Sequence, residues 1–159
     1  MGRRAKSGHV LLSKNFDERI FMNYFGNIYK TTKTKVFISF DFDHDHDLKV
    51  LFAGQAKHDD TPFEITDMSV KQELSGDWKA KVRQKIKSAE QVVVICGEYT
   101  DTASGVNAEI KIAQEENKPY FLLWGRNGKT CKKPTAAKDA DKIYEWTWPT
   151  VKKLLDGGR

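Results

Sequence analysis

Seven consecutive residues, Asp41-Phe42-Asp43-His44-Asp45-His46-Asp47, carry four carboxylates and two imidazoles, and a single glutamate, Glu109, stands in Ser104-Gly105-Val106-Asn107-Ala108-Glu109-Ile110. Side chains of these types ligate metals, move protons and stabilise developing cations. A metal site meets a geometric objection. His44 and His46 face opposite ways on an extended chain and share no helix face, and no second cluster with ligand spacing follows, so no metal ligand is assigned. The remaining reading of Asp41–Asp47 is a polar loop that binds a ligand through backbone groups and one or two side chains. With Val106, Ile110 and Ala113 facing inward, Glu109 falls about 60° from Val106 and about 100° from Ile110, at ~100° per residue. That is the edge of a buried face. Two readings stay open there: a salt-bridged surface residue, which is the ordinary case, or a carboxylate aimed into a crevice. Glu98, just past a strand, has the same ambiguity.

The elements that must position these groups alternate along the chain. Val36–Phe40 is a short apolar run with β-branched and aromatic residues and reads as a central strand. A buried parallel strand that ends in polar residues is how open α/β sheets build sites, outside the carboxyl ends of the strands. Leu48, Leu51, Phe52 and Gln55 follow at helical spacing, with Asp45 or Asp47 as the cap. Phe63–Asp67 reads as a second strand. A helix runs from about Trp78 to Ala89 on Trp78, Val82 and Ile86. Val92–Gly97 is an unbroken apolar run suited to a sheet covered on both faces. Ser104 reads as the N-cap of a helix through Asn117, which Pro119 ends. Tyr120–Trp124 is the next buried strand, Ile143–Trp148 an edge strand, and Pro149 opens a closing helix. The pattern predicts an α/β fold, a flavodoxin-like three-layer sandwich with about five parallel strands in order 2-1-3-4-5.

Composition bounds the class. The chain has 159 residues, 31% charged and 39% hydrophobic, which describes a globular domain with its own core. No apolar run approaches the ~20 residues of a membrane span, and Val10-Leu11-Leu12 is too short for a signal-peptide core. Cys96 and Cys131 read as reduced thiols, so a cytoplasmic location is expected. The net charge of +5 is uneven: residues 1–35 hold eight Lys/Arg against two Asp/Glu, and residues 36–159 nineteen against twenty. The basic character belongs to an N-terminal arm, residues 1–34. That arm alone would carry any nucleic-acid reading, and short basic termini are ordinarily just solvated. Within it, Ile20, Phe21, Tyr24, Phe25 and Ile28 make one apolar face of a helix opening at Asp17, suited to packing or to self-association. The main domain is expected over residues 35–159.

Several catalytic families are weighed against these residues. A strand followed by Asp41-Phe42-Asp43 resembles the nucleophile motif of haloacid-dehalogenase phosphatases. That motif wants Thr or Val two residues after the second Asp, where Asp45 stands, and four neighbouring carboxylates repel a phosphate. A receiver-like phosphoacceptor at Asp41 or Asp43 would want a Lys at the end of a late strand, where Trp124-Gly125 stands. There is no GxGxxG, P-loop or GxSxG.

Four segments in order carry a more specific resemblance: Val36-Phe37-Ile38-Ser39-Phe40, then Gly76-Asp77-Trp78, then Val92-Val93-Val94-Ile95-Cys96-Gly97-Glu98-Tyr99-Thr100, then Ser104-Gly105-Val106-Asn107-Ala108-Glu109-Ile110. Over roughly residues 35–150 the chain resembles the TIR-like domains of the bacterial Thoeris anti-phage defence system, the ThsB group. The resemblance implies cleavage of the nicotinamide–ribose bond of NAD, with NAD as substrate and no cofactor. It makes Glu109 the catalytic carboxylate. It also implies a substrate-binding set of Ser39, Phe40, Asp41, Asp43, Gly97, Glu98 and Ser104. Gly105 stands where members often carry a Trp. Water capturing the ribose would give ADP-ribose, and an internal atom a cyclic isomer. Further implied are self-association, a phage component as trigger, and a separate effector reached through the small-molecule signal. Two alternatives from other classes are a non-catalytic TIR interaction module and a nucleoside deoxyribosyltransferase-like enzyme.

Overall fold

A computed structural model describes residues 33–69 and 77–159 of the chain. The helix expected from Asp17 and the basic arm, apart from Lys33 and Thr34, lie outside the described residues, as does Gly76. One compact unit runs from Lys33 to Arg159. Its elements are β1 (Thr34–Phe40), α1 (His46–Ala56), β2 (Phe63–Met68), α2 (Trp78–Ser88), β3 (Gln91–Cys96), α3 (Ser104–Glu115), β4 (Tyr120–Trp124), β5 (Ile143–Glu145) and α4 (Trp148–Leu155). The strands form one sheet in order β2-β1-β3-β4-β5, parallel throughout. This is the α/β order that the alternation predicts.

The two-residue period of the strands sorts their side chains into two cores. Phe37, Val92, Val94, Cys96 and Leu122 pack with α2 and α3 through Trp78, Val82, Ile86, Val106, Ile110 and Ala113. Val36, Ile38, Phe40, Val93, Ile95, Phe121 and Leu123 pack on the other face with α1 and α4 through Leu48, Phe52, Val151, Leu154 and Leu155. Helices on both faces explain why Val36–Ile38 of β1 and Val92–Cys96 of β3 are continuous apolar runs. Each fully buried Val, Leu, Ile or Phe side chain among these contributes about 1.5–3 kcal/mol.

Several boundaries differ from the sequence expectation, each for a local reason. β1 begins at Thr34, whose N–H bonds the Pro62 carbonyl at 2.9 Å. Ser104 is the first helical residue of α3, and Ala103, in an extended conformation, is the N-cap. The same helix ends at Glu115 because Asn117 adopts φ 53° and Lys118 N–H reaches back to the Ala113 carbonyl at 2.8 Å, a Schellman-type stop. β5 stops at Glu145, and Thr147 caps α4 by accepting from Thr150 N–H, so Trp148 belongs to the helix. On α1 the buried stripe is Leu48 and Phe52 only, and Leu51 is 60% exposed.

Candidate active site

Strand parity delivers the first site residue. Phe37 faces α2 and α3, so Ser39, two residues on, faces the same way at the carboxyl end of β1. Opposite it, on the second turn of α3, lies Glu109, 1% exposed. Ser39 Oγ donates to Glu109 Oε2 at 2.6 Å, and Ser69 Oγ donates to the same oxygen at 2.5 Å. Ser69 follows β2 directly and extends its pairing with β1: its N–H bonds the Ile38 carbonyl at 2.7 Å, and its hydroxyl accepts from Phe40 N–H at 3.2 Å. With that acceptor side filled, the Ser69 proton is directed to Glu109.

Burial pushes the Glu109 carboxyl up to about 7, against the two serine hydroxyls and the more distant Lys85 charge, which favour the ionised form. Lys85 itself is engaged by Asp67 at 2.9 Å. The side chain lines a cavity of about 290 Å³ together with Phe40, Asp41, Asp43, His44, Ser69 and the N-terminal turn of α3 from Ser104 to Val106. A Cβ placed on Gly105 would meet nothing within 4 Å, so the cavity is open beside that residue.

The acidic turn after β1 is held by its own groups. Asp45 N–H bonds the Asp41 carbonyl at 2.9 Å, and the Asp41 carboxylate accepts from Asp43 N–H at 3.1 Å and pairs with His44 Nδ1 at 2.8 Å. The His44 ring lies on Tyr99, with centroids 4.6 Å apart.

Asp45 is the N-cap residue of α1, yet its side chain makes no cap bond. It turns instead to Arg126, just past β4. Arg126 Nη2 and Nε donate to Asp45 Oδ1 at 2.9 and 3.2 Å. The same guanidinium grips Asp47 at 2.8 and 3.0 Å and the His44 carbonyl at 2.8 Å. Asp45 is 1% exposed, and its Oδ2 is buried with no hydrogen-bond partner. Burial raises its carboxyl despite Arg126, whereas Arg126 holds the exposed Asp47 carboxyl down.

Of the residues expected to bind substrate, Phe40, Asp41, Asp43 and Ser104 share the cavity with Glu109, and Ser39 reaches it through its hydroxyl. Gly97 and Glu98 are not among its walls. Gly97 makes room for Asp45: a Cβ there would sit 2.3 Å from both carboxylate oxygens. Glu98 pairs with Lys129 at 3.7 Å. Ser69, His44 and Arg126 are the residues that sequence reasoning left unassigned. Ser69 follows an alternating strand with no motif of its own, and the signal for Arg126 is only that it stands two residues past the end of a strand. Cys96 and Cys131 are both free and buried, and burial pushes the Cys96 thiol far up, so Cys96 is not an activated nucleophile. Among the described residues no helix is long and apolar enough to cross a membrane.

Set beside known proteins, residues 37–129 match the family described as Thoeris protein ThsB, TIR-like domain. A solved crystal structure of a prokaryotic SEFIR domain is similar at 20% identity, covering 79% of this chain and 89% of that one, with a TM-score of 0.47. No curated protein matches.

Proposed function

The chain belongs to the TIR-like family of the Thoeris protein ThsB, and from that premise we propose that it cleaves the nicotinamide–ribose bond of NAD at the cavity beside Glu109. The observation that carries this reading is a buried carboxyl, Glu109, fixed by Ser39 and Ser69 at the wall of a cavity outside the carboxyl ends of the strands. Breaking the bond from C1′ to the pyridinium nitrogen sends the electron pair to nicotinamide, which leaves neutral. Positive charge then develops on the ribose, as in glycoside hydrolysis. A fixed carboxylate in a water-poor site stabilises that charge without reorganising. Both serine hydroxyls hold Glu109 in place, and a cationic substrate drawn against it favours ionisation of a group poised near neutrality.

The rest of the cavity fits the same substrate. Asp41 and Asp43 supply negative charge suited to a pyridinium ring. The first turn of α3 is the positive end of the helix, which favours a phosphate. At about 290 Å³ the cavity suits the nicotinamide riboside half of the dinucleotide. On this reading the ADP-ribose-derived product is a soluble signal to a separate effector, released when a phage component triggers assembly of the protein.

The test is chromatography with mass detection on NAD incubated with the purified protein and with lysate of phage-infected cells expressing it. Nicotinamide release that disappears in Glu109→Gln is the expected result. The mass of the second product then tells a hydrolysed from a cyclic ribosyl group. No release in either sample, with Glu109→Gln still protecting cells, would leave an interaction module instead.

A further inference from the structure

Glu109 accounts for bond cleavage but leaves the second half of the reaction without a residue. Whatever attacks C1′ through an O–H group must lose a proton, and a carboxylate engaged in stabilising the ribosyl cation is poorly placed to take it. One other titratable pair has the geometry of a base. His44 lines the same cavity as Glu109, and its Nδ1 lies 2.8 Å from Asp41 Oδ2. Asp41 is itself buried and fixed, since its other oxygen accepts from Asp43 N–H at 3.1 Å. A carboxylate on Nδ1 places the ring proton there and leaves Nε2 as the free acceptor. A second contact comes from Tyr99, whose ring lies 4.6 Å from that of His44. The imidazole is therefore held by two contacts, in one tautomer, at a cavity wall.

We propose that His44, oriented by Asp41, is the general base for capture of the ribosyl carbon by water or a hydroxyl group. This rests on the NAD-cleavage reading above and divides the labour within it. The C1′–N bond breaks with its electron pair going to nicotinamide. An oxygen of water or of a hydroxyl group forms the C1′–O bond, and the proton it loses goes to His44 Nε2 and from there to solvent. Asp41 does not touch the reacting atoms. It is a positioning residue that fixes the tautomer and balances the imidazolium when it forms.

Azide separates this role from a structural one, because an anionic nucleophile has no proton to lose. Product formation from NAD is followed for wild type, His44→Ala and Asp41→Asn, with and without sodium azide. His44→Ala is expected to lower ribosyl product formation roughly 100-fold, and azide to restore turnover as ADP-ribosyl azide with one nicotinamide released per azide consumed. Asp41→Asn should lose less and respond to azide in the same sense. Product formation unchanged in His44→Ala, or a loss that azide does not restore, would overturn the proposal. Absence of nicotinamide release from wild type itself would remove the NAD reading and this proposal with it. Release by wild type that His44→Ala leaves intact would remove this proposal alone.

Discussion

Two buried carboxylates stand at the carboxyl end of the same sheet, and their surroundings treat them in opposite ways. Asp45 is in direct contact with the guanidinium of Arg126, which also grips Asp47 and the His44 carbonyl. Glu109 has no cation in contact among the described residues and is held only by the hydroxyls of Ser39 and Ser69. The first arrangement compensates a charge and locks a turn. The second positions a carboxyl while leaving its ionisation open, which suits a group that must meet a cation brought by a ligand. Position in the fold does not distinguish these two carboxylates; the partner does.

The comparison can be broken most forcefully at Arg126. Arg126→Ala leaves Asp45 buried without a counter-charge and should cost about 3–5 kcal/mol at neutral pH. Urea denaturation checks this, and the loss should shrink in acid, where a protonated Asp45 needs no partner. The opposite sign is expected at Glu109. Its folded-state value of about 7 lies above the ordinary 4.5, so between these values the folded chain keeps a proton that the unfolded chain has lost. Its contribution is therefore most favourable at or below the ordinary value and is lost as pH rises through about 7, by roughly 3 kcal/mol in total. Glu109→Gln, which keeps an oxygen for both serines, removes that slope and should be more stable than wild type above neutrality, measured by denaturation at several pH values.

Smaller effects sharpen the same contrast. Gly97→Ala pushes a Cβ to 2.3 Å from the Asp45 carboxylate and should destabilise by about 2 kcal/mol, with little change in a Glu109-dependent activity per folded molecule. Ser39→Ala removes one of the two donors that favour the Glu109 anion. The midpoint of any activity needing that anion should rise by roughly one pH unit, readable in a pH–rate profile while the fold remains intact.

How far the sequence discloses these arrangements depends on whether they are local. The continuous run Val92–Cys96 and the alternation of strands with helices specify the parallel sheet and its strand order, because burial on both faces has a direct compositional mark. Helical geometry brings Glu109 only to the edge of a buried face. Its full burial comes from Ser39 and Ser69, separated from it by 70 and 40 residues. Asp45 is a natural cap by local rules, but an arginine 81 residues away takes its side chain. Leu51 fits an apolar stripe that α1 presents more narrowly than helical spacing suggests. For Glu109 and Asp45 a contact between elements distant in sequence decides the outcome.

The account turns on the ionisation of Glu109, and the pH dependence of kcat/KM for nicotinamide release from NAD tests it most directly, because that quantity reports the free protein's titrating groups. The expected profile rises at least tenfold per pH unit in acid and levels off only above the Glu109 midpoint near 7. A profile flat from mildly acidic to alkaline pH, a midpoint near the ordinary 4.5 of a solvated glutamate, or an identical curve from Glu109→Gln would contradict it.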